Sequence, residues 1–172
     1  YDELLASQLT MAIERETSRK VKGRAVKGSG KFRVKILDVL DYELTDDQKK
    51  TTFEIESDMA SAQSMLRLVQ GDVGSGKTIV AMLSMLIAVE AGFQAAMLAP
   101  TEILSRQHMA NLKVLAEAAG VRIEILTGRN KGKAREAILA DLAEGKIDIL
   151  IGTHAIIQDD VTFKNLALAV ID

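Results

Sequence analysis

The sequence predicts an α/β fold with an open, mainly parallel β-sheet flanked by helices, and three observations carry that expectation. Short apolar runs alternate with longer segments of helical periodicity four times between residues 65 and 172. A glycine-rich stretch, "GDVGSGKT" from Gly71 to Thr78, lies between one such run and a long apolar helix pattern. The chain has 172 residues, 48% of them hydrophobic, which suits one core better than two. Strands that alternate with helices run parallel through right-handed crossovers, with a ligand site expected at their carboxyl ends.

The elements follow in order. "YDELLASQLTMAIERETSRK" carries Leu4, Leu5, Leu9, Ala12 and Ile13 on helical spacing, with Asp2 and Glu3 in the first turn, where the helix dipole favours acids. This is an amphipathic helix in need of a partner. Residues 15 to 35 set Arg15, Arg19, Lys20, Lys22, Arg24, Lys27, Lys31, Arg33 and Lys35 against the single acid Glu16. The bland reading of that run is a solvated basic linker, and the competing one is contact with nucleic-acid phosphates. A helix starts in "LTDDQKKTTFEIESDM" (44–59). Then come a strand at 65–70, a helix at 77–91 ending at Gly92, a strand at 94–99 and a helix at 101–119. A strand at 121–126, a helix at 133–144, a strand at 147–151 and a last apolar run at 166–172 complete the chain.

The glycine-rich stretch has the spacing G-x-x-x-x-G-K-T, the phosphate-binding loop pattern. Gly71, Asp72, Val73, Gly74, Ser75 and Gly76 would turn backbone N–H groups inward around a polyphosphate, since glycine allows approach without a Cβ in the way. Lys77 would place a point charge on the β- and γ-phosphates, and Thr78 would give its hydroxyl to Mg²⁺. The loop is therefore expected to hold a nucleoside triphosphate. Asp172, at the carboxyl end of "LALAVID", is the candidate for the same Mg²⁺.

Other positions admit two readings. Thr45-Asp46-Asp47-Gln48 matches a helix capping box, which favours Gln48 as a cap; a glutamine amide also suits an adenine edge, with Tyr42 placed to stack. Pro100 and Thr101 open a turn after a strand, "LTGRNKGK" (126–133) is rich in glycine and bases, and Thr153 and His154 lie just past another strand. Each is an ordinary turn or a donor-rich contact for a phosphate backbone. His108 and His154 have no Cys or His partner at metal-ligand spacing, so structural roles are favoured. The chain contains no cysteine, which excludes disulfides and thiolate metal sites. No apolar run approaches the length of a membrane span and no signal peptide is visible, so a soluble, cytoplasmic protein is expected. The chain starts at Tyr1 and stops within a strand-like run, and reads as an excerpt of a longer polypeptide.

Taken together, "LTDDQ", "RLVQGDVGSGKT", "APTEILSRQH", "LTG", "IGTHAIIQ" and "LAVID" closely resemble the first motor domain of the RecG-type ATP-dependent DNA helicases of superfamily two. The resemblance covers almost the whole chain. It implies a RecA-like P-loop NTPase domain at 41–172, ending within motif II, preceded at 1–40 by a linker helix and basic connector from an upstream wedge domain. It implies ATP and Mg²⁺ as cofactors, and branched double-stranded DNA as partner, such as stalled replication forks and Holliday junctions. It also implies a second RecA-like domain and the wedge domain in the same parent chain, and no membrane. By resemblance Gln48 becomes the adenine reader with Tyr42 as the upstream aromatic, Lys77 and Asp172 are catalytic, and Asp172 opens a D-E-x-H box. Pro100, Thr101 and Glu102, then Thr127 and Gly128, then Thr153 and His154, fall in motifs that face or flank the DNA track. The glutamate that would follow Asp172 lies outside the sequence, so the chain alone is expected to bind nucleotide without turning it over. The rival readings are the motor of a transcription-repair coupling factor and a nucleotide-binding module without chemistry.

Overall fold

The computed structural model describes residues 23–172; the amphipathic helix expected at 1–20 lies outside them. In chain order the elements are α1 (Lys31–Val39), α2 (Asp46–Met59), α3 (Lys77–Glu90), β1 (Gln94–Leu98), α4 (Glu102–Ala119), β2 (Ile123–Leu126), α5 (Gly132–Ala143), β3 (Ile149–Gly152), a 3₁₀ turn (His154–Ile157) and β4 (Leu166–Ile171). The four strands form one sheet in the order β2-β3-β1-β4, and every pairing is parallel. The open parallel α/β architecture expected from the sequence is present.

Helix α3 is the centre of the molecule. Its sequence, KTIVAMLSMLIAVE, is apolar around its whole circumference, and Met82 through Val89 are buried without a break. A helix of that kind needs cover on every side. The sheet covers one side through β1 and β4, and α1 and α2 cover another. The β-branched residues Ile79, Val80, Ile87 and Val89 each cost a few tenths of a kcal/mol in helix propensity. Burial returns roughly 1.5–3 kcal/mol for each large side chain, so packing decides the conformation. The opposite face of the sheet carries a smaller core of Ala96, Leu126, Leu142, Ile147, Leu150 and Ile156. Gln94, the first residue of β1, ties the segments leading into β3 and β4 together: its buried amide nitrogen donates to the carbonyls of Leu142 (3.0 Å) and Ile147 (2.8 Å), and its oxygen accepts from Asn165 N–H (3.0 Å).

Two expectations are corrected. The strand expected at 65–70 is not part of the sheet. Its residues alternate between half-buried and exposed, as a strand would, with Leu66 and Leu68 exposed. A strand also needs a ladder partner, and β4 pairs with β1 alone among the described residues. The segment instead forms one wall of a cleft whose other wall is β4. The second correction concerns the basic run, which is not simply a solvated linker from residue 23 onward. Residues 31–39 form α1, whose Ile36 is fully buried, and Val26 joins the same core. Three of its bases are tied internally: Arg24 donates to Asn165 Oδ1 (2.6 Å) and lies over the Phe93 ring, Lys35 donates to the Ala119 carbonyl (3.1 Å), and Arg33 pairs with two glutamates.

Candidate functional site

The phosphate loop joins the extended segment 64–70 to the first turn of α3. Gly74 (φ 82°) and Gly76 (φ 79°) both adopt left-handed backbone, the conformation from which anion-binding nests of backbone amides are built. Gly76 has a second reason to be glycine, because a Cβ there would overlap the Gln48 side-chain amide. Helix α3 starts without any side-chain cap, so its first amides keep the donors and the positive dipole end that an anion requires. Lys77 folds back over the loop, and its Nζ donates to the carbonyls of Gly71 (2.7 Å) and Asp72 (2.8 Å). The ammonium thus already stands at the mouth of the cradle. Phosphate oxygens, carrying charge, are stronger acceptors than those two carbonyls. The residues fit a triphosphate.

A cleft of about 1560 Å³ opens beside the loop, and Gly74, Gly76, Lys77, Thr78, His108 and Asp172 all line it. Asp172 is anchored at the end of β4 by its own N–H, which donates to the Leu98 carbonyl (2.9 Å). Its Oδ2 lies 2.8 Å from Nε2 of His108, a buried residue of α4. A carboxylate only accepts, so Nε2 carries a proton toward it, and Nδ1 is buried without a partner among the described residues. His108 is a site residue that sequence reasoning passed over, because ligand spacing was sought and the contact joins positions 64 residues apart. Among the described residues no group of three or more His, Cys, Asp and Glu could hold a metal. A cation here would rest on Thr78, Asp172 and phosphate oxygens, the sparse protein ligation that suits Mg²⁺.

Gln48 does both of the local jobs that its position allows. Its side-chain oxygen accepts from Thr45 N–H (2.9 Å) while its own N–H donates to Thr45 Oγ1 (3.2 Å), which completes the capping box of α2. The remaining amide group donates to the Ser75 carbonyl in the phosphate loop (2.9 Å). Tyr42 is exposed, six residues upstream.

The turns after β1, β2 and β3 stand at one edge of the sheet, since the three strands are parallel and in register at Leu98, Leu126 and Gly152. Pro100 is exposed, and Thr101 caps α4 by accepting from Leu104 N–H (3.2 Å). Glu102 pairs with Arg129 (2.8 Å) and so ties the first turn to the second. Thr127 and Thr153 have buried side chains, whereas Gly128, Arg129 and His154 are exposed. Any contact these turns make outward therefore comes from backbone amides and from the exposed neighbours.

Residues 45–172 match the family model described as DEAD/DEAH box helicase. The chain belongs to the DEAD/DEAH box helicase family. Similar curated proteins include the ATP-dependent DNA helicase RecG of Bacillus subtilis, 43% identical over 173 residues, and that of Pasteurella multocida, 41% identical over 172. Each alignment takes in 100% of this chain but 25% of the relative, so the chain spans about a quarter of the length of those helicases. A solved structure of RecG bound to a three-way DNA junction superimposes with a TM-score of 0.83 at 42% identity, over 98% of this chain and 23% of that one. Membership of the helicase family implies the use of ATP, in keeping with the phosphate cradle. No helix among the described residues is long and apolar enough to cross a membrane.

Proposed function

We propose that this chain is the ATP-binding motor domain of a DNA helicase that remodels branched duplex DNA, such as stalled replication forks and Holliday junctions. The observation that carries the reading is the opening of the phosphate loop and Asp172 onto one cleft, at the end of the sheet where the donor-rich turns also stand. Similarity to helicases named RecG, one of them solved on a three-way junction, supports the branched substrate.

In this reading Lys77 and the loop amides grip the β- and γ-phosphates, and Thr78 and Asp172 hold Mg²⁺. The cation supplies charge neutralisation on the transferring phosphoryl group. Gln48 exchanges its bond to Ser75 for the adenine edge, with Tyr42 stacking beside it. Pro100, Thr101, Glu102, Thr127, Gly128, Thr153 and His154 belong to turns that flank the DNA. Grip on the backbone rather than on bases gives movement without sequence preference. Residues 1–40 serve as the connector from a wedge domain and 41–172 as the first RecA-like domain, facing a second one in the same polypeptide, in the cytoplasm.

The test is ATP hydrolysis by the protein at its full natural length without DNA, with linear duplex and with a three-way junction, Lys77→Ala serving as control. The strongest stimulation is expected from the junction, and none in the variant. Equal stimulation by duplex, or a response only once RNA polymerase is added, would favour the coupling-factor motor. Nucleotide binding without hydrolysis under every condition would favour a non-catalytic module.

A further inference from the structure

The loop-to-helix junction at residues 28–33 contains an arrangement that the nucleotide site does not account for. Glu90, the last residue of α3, is fully buried in its side chain. One of its oxygens accepts from Phe32 N–H (2.8 Å) and Arg33 N–H (3.0 Å), and the other accepts from Gly30 N–H (2.7 Å) and Arg33 Nε (3.2 Å). This carboxylate therefore caps α1, which has no side-chain cap of its own, from about sixty residues away. Gly28 is part of the fit, since a Cβ there would overlap the Glu90 carboxylate. The outer nitrogens of Arg33 then reach Glu56 of α2 as a bidentate fork, at 2.7 and 2.8 Å.

Arg33 thus bridges α2 and α3, the two helices whose other ends build the nucleotide site. At the rise of an α-helix, Glu56 lies about 12 Å along α2 from Gln48, and Glu90 about 20 Å along α3 from Lys77. Among the described residues, two polar ties link α2 to α3 and to the loop that leads into it. The near one is the exposed bond from Gln48 to Ser75, and the far one is the half-buried, charge-assisted clamp of Arg33. A base that takes the Gln48 amide removes the near tie. The far tie then remains, together with the apolar contacts of Ile55 and Met59.

We infer that Arg33 is a positioning residue for the nucleotide base: by clamping the far ends of α2 and α3 it holds Gln48 at the angle needed to discriminate adenine. The inference rests on the reading of Gln48 as the base contact. A residue outside the P-loop, in the segment that leads into the domain, would then set base selectivity without touching nucleotide. Lysine's single point of charge cannot reproduce the planar fork, in which two outer nitrogens hold Glu56 while Nε reaches Glu90.

The test is equilibrium binding of fluorescent ATP and GTP analogues, with competition by inorganic tripolyphosphate, to the protein at its full natural length. Arg33→Met is expected to lower the preference for ATP over GTP by about tenfold, with tripolyphosphate affinity unchanged, which general loosening of the fold would not produce. Glu56→Gln spares every contact of Glu90 and guards against misfolding; its expected loss is about threefold. Gln48→Ala separates the two layers. If it leaves the ATP preference intact, the base reading fails and the inference falls with it. If it removes the preference while Arg33→Met and Glu56→Gln keep it, only the clamp is overturned.

Discussion

The two ends of α3 are finished in opposite ways. At its amino end the helix starts from a left-handed glycine, has no side-chain cap, and leaves Lys77 exposed on two loop carbonyls. At its carboxyl end Glu90 is sealed from water and accepts four hydrogen bonds from a segment that precedes it in sequence by about sixty residues. A buried carboxylate is tolerable only when fully satisfied, so the carboxyl end has little freedom left. Unpaired donors at the amino end are a standing offer to an anion. One helix thus supplies both a fixed base and an open binding end.

The largest expected effect comes from breaking the fixed end. Glu90→Ala leaves three amides and Arg33 Nε without their acceptor, and should cost about 3–5 kcal/mol of stability in urea unfolding; a loss under about 1 kcal/mol would show that this end is not locked. The open end is probed by His108→Ala, which frees the Asp172 carboxylate from its neighbour. Mg²⁺-dependent nucleotide affinity should fall about tenfold, while affinity measured without Mg²⁺ stays unchanged. Thr45→Ala removes half of the capping box beside the loop and should cost about 1 kcal/mol. The smallest effect is a pH dependence at the fixed end. The Arg33 fork holds the Glu56 carboxyl below the usual carboxylate range, chiefly through the hydrogen bond. The stabilisation is then complete above the unfolded value, about pH 4.3, and is lost as pH falls through the lower folded value. Acid unfolding curves of wild type and Glu56→Gln should converge below that window and separate above it; parallel curves would deny the fork its role.

The two ends also differ in how far the sequence reveals them. The amino end is a local motif: eight consecutive residues, Gly71 to Thr78, carry their own chemistry, and the helix that follows ends within a residue of the expected boundary. The carboxyl end depends on Arg33, Glu56 and Glu90 meeting from three distant segments, and no periodicity reports such a meeting. Helix α1 was legible in part, since Phe32, Ile36 and Leu40 recur at helical spacing, but the surrounding charges made the stretch read as linker. Segment 65–70 shows the converse limit. Its apolar run is a side-chain pattern, whereas a strand is defined by a neighbour that the described residues do not provide. At Gln48 the capping box that the spacing offered is present, while the bond of its amide nitrogen to Ser75 joins positions that spacing could not connect.

The most direct test of the open end is the affinity of a non-hydrolysable ATP analogue with Mg²⁺ for wild type and for Lys77→Ala. Tight binding to wild type is expected, with a loss of at least about tenfold in the variant and with adenosine binding far more weakly than the triphosphate to wild type. Equal affinity for the two proteins, or adenosine binding as tightly as the triphosphate, would contradict the assignment of this cradle to phosphate.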